Sequence, residues 1–226
     1  MITPYLRFDD LPETDRPVIR LVAFDVNGTL LDDTPILVSA LNAVFVSLGR
    51  PALSRAEIAR RLGLPWTALY RRAGVDPAEV SDQELGRLYR EAYAAGPAPS
   101  LSRGAEAAVR TLRRRAVPVA VLSAQEEAMT RGQLAAWPAL LAGLSEVRGD
   151  VADKAAALRD LARRHGLRTA EIAYVGDQAS DMAAARAAGV VGIGRLGGVA
   201  PAWRLRRAGA RVLVCDLAEI PNLIVR

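Results

Sequence analysis

The segment Ile19-Arg20-Leu21-Val22-Ala23-Phe24-Asp25-Val26-Asn27-Gly28-Thr29-Leu30-Leu31-Asp32 joins an apolar run to an abrupt cluster of polar groups. Leu21 to Phe24 are four apolar residues in a row, the pattern of a strand covered on both faces. An acid, an amide, a glycine and a hydroxyl follow at residues 25, 27, 28 and 29. In parallel α/β sheets ligands bind beyond the carboxyl ends of strands, which is where a reactive acid belongs. Asn-Gly is also a turn dipeptide and Asp a common helix cap, so by itself the segment reads equally as turn or as site.

Outward from this segment the pattern is helical, then alternating. Ile36, Leu37, Ala40, Leu41, Val44 and Leu48 recur at helical spacing, with Gly49 as a C-terminal signal. Ser54-Arg55-Ala56-Glu57 and Ser81-Asp82-Gln83-Glu84 are expected capping boxes. Gly63-Leu64-Pro65 breaks the helical run between them, and Ala95-Gly96-Pro97-Ala98-Pro99-Ser100 has the composition of a linker. Beyond it, helices are expected over Gly104 to Arg115, Lys154 to His165 and Asp181 to Ala188. Strands are expected over Val117 to Leu122, Ile172 to Gly176, Val190 to Ile193 and, at an edge, Val212 to Val214. Such alternation predicts a Rossmann-like α/β core, a parallel sheet with helices on both faces. Residues 1–32 and 98–226 form that core, with 1–18 as an N-terminal extension on the surface. Residues 33–97 are a helical insertion directly after the first strand.

Composition narrows the class. The chain has 226 residues, 51% of them hydrophobic, enough for a substantial core. It has no apolar run long enough to span a membrane and no secretory signal pattern, so a cytoplasmic protein without a membrane partner is expected. The one cysteine, Cys215, lies in an apolar run and is expected to be a small buried side chain. Net charge is +5. Clusters such as Arg113-Arg114-Arg115 and Arg204, Arg206 and Arg207 fall at helix ends without interleaved aromatics, which argues against a nucleic-acid partner. Lys154 is the sole lysine among 30 Lys and Arg residues, and a compact ammonium differs from a guanidinium at a tight site. His165, before Gly166, reads as a helix-end residue, and Trp66, Trp137 and Trp203 as packing residues.

Isolated polar groups mark the other strand ends too: Ser123 in Leu122-Ser123-Ala124, Lys154 at a helix start, and Asp177 with Asp181 in Gly176-Asp177-Gln178-Ala179-Ser180-Asp181. A parallel sheet brings such positions to one edge. Carboxylates with an amide carbonyl make a hard-oxygen site suited to Mg²⁺, and a lysine and a serine beside them would hold phosphate oxygens.

In that order the residues resemble the four motifs of the haloacid dehalogenase-like hydrolase superfamily: Asp25-Val26-Asn27-Gly28-Thr29, Ser123, Lys154, and Gly176-Asp177 with Asp181. The insertion resembles the C1 cap of that superfamily, and the tail that of its phosphoglycolate phosphatase-type members. The resemblance implies a phosphohydrolase of small phosphorylated metabolites with Asp25 as nucleophile. Mg²⁺ would lie between Asp25, the backbone carbonyl of Asn27 and Asp177, supported by Asp181. Gly28, Thr29, Ser123, Ala124 and Lys154 would surround the phosphate, Lys154 also offsetting charge on Asp25.

One position departs from the pattern. Phosphatases of the superfamily carry Asp two residues after the nucleophile as general acid and base; this chain has Asn27. An amide exchanges no proton near neutral pH, and a positioned acid–base group contributes roughly 10²–10⁴-fold in rate. The readings left are a hydrolase for good leaving groups, a weakly active relative that binds phosphorylated ligands or proteins, or an introduced amide that traps substrate. The dehalogenating branch, metal-free with an aromatic at this position, and the phosphonate-cleaving branch, with a cap lysine, fit poorly.

Overall fold

The computed structural model describes residues 18–62 and 66–224. The expectations for residues 1–17 and for Gly63-Leu64-Pro65 lie outside the described residues. Among those described, the chain separates into two compact units, one reaching to Leu31 and resuming at Leu101, the other running from Asp32 to Ser100.

The first unit is built on a sheet of six parallel strands. β1 (Leu21–Phe24) precedes the second unit, and the short β2 (Leu31–Asp32) leads into it. That unit holds α1 (Thr34–Ser47), α2 (Arg55–Arg61), α3 (Ala68–Arg72) and α4 (Asp82–Ala94). There follow β3 (Ser100–Leu101), α5 (Ala105–Arg114), β4 (Val119–Leu122), α6 (Glu127–Leu134), α7 (Pro138–Gly143) and β5 (Glu146–Arg148). The chain then alternates through α8 (Lys154–Arg164), β6 (Ile172–Gly176), α9 (Ala179–Ala188), β7 (Val191–Arg195), α10 (Ala202–Ala208) and β8 (Val212–Val214), and ends in α11 (Ile220–Leu223). The sheet order is β5-β4-β1-β6-β7-β8, and β2 pairs separately with β3. After β1 the main sheet grows to one side through β4 and β5; after β6 it grows to the other. The β1–β6 pair therefore marks the switch point where a crevice opens beyond the strand ends.

The two-residue alternation of a strand divides the core into two layers. Val22 and Phe24 of β1 join Ala105, Ala108, Val109 and Leu112 of α5 on one face. Leu21 and Ala23 join Leu158 and Leu161 of α8 and Ala185 of α9 on the other. Each large side chain so buried contributes roughly 2 kcal/mol relative to exposure. In the second unit the Phe45 and Tyr70 rings pack tilted at 48°, 4.8 Å between centroids, and the Tyr70 hydroxyl donates to the Leu41 carbonyl.

Several local expectations are corrected. β4 starts at Val119, not Val117, because the Val117 N–H is used by the Leu112 carbonyl at the end of α5 and Pro118 has no N–H. α9 starts at Ala179, which puts Asp181 inside its first turn, and β7 runs on to Arg195. The Ser54 box is complete, whereas at Ser81 only the side-chain bond to the Glu84 N–H forms, the Glu84 carboxylate being taken by Arg87. Cys215 is exposed because it follows the last residue of edge strand β8. Trp203 is 62% exposed on α10 and so is not a packing residue. Arg113 and Arg114, and Arg206 and Arg207, sit in last helical turns, where cations suit the macrodipole. No described helix is long and apolar enough to cross a membrane.

Candidate active site

The register of the sheet sets the site. Phe24 lies level with Val121 on β4 and Val175 on β6, so Asp25 emerges between the ends of both strands. Its N–H is held by the Val175 carbonyl at 2.9 Å. Alternation along β1 gives residue 25 the parity of Leu21 and Ala23, the face covered by α8 and α9. Lys154 opens α8 and Asp181 lies in the first turn of α9, and both arrive at Asp25.

The Lys154 Nζ stands 3.0 Å from Asp25 Oδ1 and 2.6 Å from Asp181 Oδ1. Asp181 Oδ2 accepts from the Gln178 N–H at 3.0 Å, and its Oδ1 also accepts from the Tyr174 hydroxyl at 3.4 Å. Asp177 Oδ1 accepts from the Thr29 hydroxyl at 3.3 Å, and its Oδ2 from the Val199 N–H at 3.4 Å. All three carboxylates are buried and offer ligand atoms within 4.8 Å of one another. A cluster of hard oxygens this close is disfavoured by mutual repulsion unless cations share it; Lys154 answers part of that charge, and a divalent ion fits the rest.

Burial raises the Asp25 carboxyl to about 6, Lys154 pulling it down and Asp181 pushing it further up. Burial by itself would lower Lys154, yet the Asp181 and Asp25 carboxylates hold its ammonium well above the ordinary lysine value. Tyr174, whose ring lies 5.7 Å from Lys154 Nζ, is kept protonated chiefly by burial.

Close packing explains the glycines. Gly28 has φ of +72°, and a Cβ there would come within 2.4 Å of the Asp177 carboxylate. A Cβ on Gly198 would meet the same carboxylate at 2.1 Å. Thr29 is fully buried, and its hydroxyl serves Asp177. Ser123 is buried at the end of β4, one strand from Asp25, where its hydroxyl accepts from the Gln125 N–H. Ala124 is exposed beside it, and Asn27 is half-buried, bridging to Leu31. The structure thus joins Asp25, Lys154 and Asp181 by direct contact and Thr29 to Asp177, brings the three carboxylates within 4.8 Å, and sets Asn27, Ser123 and Ala124 on adjoining loops.

Three residues of this region were not singled out from the sequence. Tyr174 lies inside an apolar strand and is indistinguishable there from core. Asp153 caps α8 by accepting from the Ala156 N–H at 2.9 Å; an Asp before a helical run was the available signal. Arg195 is a buried arginine at the end of β7 whose Nη1 donates to the Gly28 carbonyl at 2.7 Å.

Residues 19–189 match the family model described as haloacid dehalogenase-like hydrolase. The phosphoglycolate phosphatase of Chromobacterium violaceum is 32% identical over 222 residues, covering 91% of this chain and 96% of that protein. The phosphoglycolate phosphatase of Pseudomonas putida is 31% identical over 192 residues, covering 77% and 68%. A haloacid dehalogenase-like family protein from Streptococcus pneumoniae superposes with a TM-score of 0.78 at 18% identity, over 92% of this chain and 99% of that one. The chain therefore belongs to the haloacid dehalogenase-like hydrolases, as a phosphatase-type enzyme related to the phosphoglycolate phosphatases.

Proposed function

We propose that this enzyme is a Mg²⁺-dependent phosphatase of small phosphorylated metabolites that works through an aspartyl-phosphate on Asp25, its turnover curtailed by Asn27. The observation that carries the reading is Asp25 at the switch point of the sheet, paired with Lys154 and grouped with Asp177 and Asp181. Asp25 and Asp177, with the Asn27 carbonyl, would hold Mg²⁺, which supplies charge neutralisation between the carboxylate and the phosphoryl group. Asp181 has both oxygens engaged by Lys154, Tyr174 and Gln178, which suits an orienting role rather than a ligand's.

The Asp25 carboxylate attacks phosphorus, an Oδ–P bond forms, and the bond from phosphorus to the ester oxygen breaks. Lys154 lowers the repulsion between the two anions. Gly28, Thr29, Ser123 and Ala124 border the phosphoryl position, Thr29 acting by holding Asp177. The departing oxygen needs a proton, and the Asn27 amide has none to give. Aryl and acyl phosphates, whose leaving groups depart as stable anions, are accordingly favoured over alkyl phosphates. Water then attacks the aspartyl-phosphate, returning Asp25 and releasing inorganic phosphate, again without a base at residue 27. Residues 33–97 serve as a cap that sets substrate choice, and 2-phosphoglycolate is the first alkyl phosphate to test, given the relatives.

The Asn27 amide also favours a second reading, a weakly active relative that binds phosphorylated ligands or a protein partner. Mg²⁺-dependent hydrolysis of p-nitrophenyl phosphate and of 2-phosphoglycolate, by the wild-type chain and by Asn27→Asp, separates the two. The phosphatase reading expects measurable aryl-phosphate turnover, a phospho-Asp25 mass shift, and a gain of roughly 10²-fold on the alkyl substrate with Asn27→Asp. No turnover and no phospho-Asp25 with any substrate leaves only the binding module. An alkyl-phosphate rate that is already fast and indifferent to Asn27→Asp overturns the role given to residue 27.

A further inference from the structure

We propose that Arg195 is a positioning residue for catalysis, fixing the loop that carries Asp25 through the carbonyl of Gly28. It lies outside the residues matched by the family model, which end at 189. Arg195 ends β7, two strands from β1 in the sheet, and is 5% exposed. Its guanidinium reaches back across 167 residues of sequence to donate to the Gly28 oxygen at 2.7 Å. Burying a guanidinium costs several kcal/mol unless its donors are met, and a short bond to the turn after the nucleophile is one of the contacts that hold it there.

The geometry shows what the contact controls. The loop from Asp25 to Thr29 turns at Gly28, whose left-handed conformation and missing side chain let it lie against Asp177. One side of the turn is tied to β6 through the Thr29 hydroxyl on Asp177. The other is tied to β7 through Arg195 and the Gly28 carbonyl. The connection after β7 closes the same assembly. Gly197 has φ of +105°, and a Cβ there would come within 3.4 Å of the Arg195 guanidinium, while Gly198 packs on Asp177. Arg195 thus fastens the turn that follows the nucleophile through the Gly28 carbonyl. A planar fork on a fixed carbonyl is a task that lysine performs poorly.

The proposal rests on Asp25 as the nucleophile, and the test keeps the two apart. Arg195→Met and Arg195→Lys are compared with wild type in Mg²⁺ for kcat and KM on p-nitrophenyl phosphate, for capture of beryllofluoride on Asp25 by fluorine NMR, and for thermal melting. A misaimed nucleophile lowers kcat with KM nearly unchanged. We expect Arg195→Met to lose about 10²-fold in kcat, the scale of an ångström's misplacement, and to capture beryllofluoride weakly. Arg195→Lys recovers part of both. Arg195→Met with wild-type kcat and capture overturns the proposal, as does a loss in Arg195→Lys that appears in KM rather than kcat. If Arg195→Met does not fold, the kcat and capture of Arg195→Lys decide. If wild type itself neither turns over nor captures beryllofluoride, it is the assignment of Asp25 that has failed.

Discussion

Asp25 is held where its ionised form is disfavoured by burial and favoured by Lys154, and burial wins, raising it to about 6. The stability consequence follows by linkage. A carboxyl raised in the fold binds its proton more tightly folded than unfolded, so its contribution is fully present below pH 3.8 and is lost as pH rises through 6. At pH 8 the ionised group costs the metal-free protein about 1–3 kcal/mol. Asp25→Asn, which mimics the neutral form, should therefore melt higher than wild type at pH 8 in the absence of Mg²⁺, with the difference shrinking toward pH 4. Equal melting at both pH values refutes this. Gly28→Ala adds strain and a collision with Asp177, and should cost well over the roughly 1–2 kcal/mol of a left-handed alanine and weaken Mg²⁺ binding. Gly74→Ala, also at positive φ but with open space around it, should cost only that smaller amount. Melting and Mg²⁺ titration of the pair distinguish strain from contact. At this scale the sequence speaks through order and isolation: Asp25, Lys154, Asp177 and Asp181 stand out as polar groups at strand ends. Tyr174 and Arg195 do not, because the first lies inside an apolar strand and the second's bond to the Gly28 carbonyl is one that no side-chain pattern announces.

Among the elements, α8 links stability to the site most directly, since its first residue is Lys154 and its N-cap is Asp153. Asp153→Ala should lower stability by about 0.5–2 kcal/mol through the lost cap, and should also reduce kcat by loosening the turn that presents Lys154. Asp153→Ser, which keeps an acceptor, should restore both. A kcat unchanged in a destabilised Asp153→Ala would show that Lys154 is held by Asp25 and Asp181 alone. Helices with strong apolar periodicity and strands buried on both faces are legible from residue order, as β1 and β6 show. The stretch between β4 and α8 was not. β5 is three residues long with only its middle one buried, so it has no apolar run to read. α6 buries only Thr130 and Leu134, and α7 spans six residues after Trp137, too short for a period to emerge.

Across the whole molecule, every carboxylate of the cluster, together with Lys154, belongs to the unit that contains the six-stranded sheet, and none comes from residues 32–100. Helical periodicity fills the interval between a strand and a linker, and α1 to α4 fall in the second compact unit. Metal binding should therefore act on one unit's stability. A ligand at 100 times its Kd stabilises the form that binds it by about 2.7 kcal/mol, which slows exchange through unfolding of that form by about 100-fold. Hydrogen exchange with and without Mg²⁺ should show that slowing for the most protected amides of β1 and β6. Amides of α1 and α4, in the other unit, should exchange at unchanged rates if the two units unfold separately, as chains of more than one compact unit often do. Equal slowing in both units would mean that they unfold as one cooperative body. The absence of slowing anywhere would mean that Asp25 and Asp177 do not hold the ion.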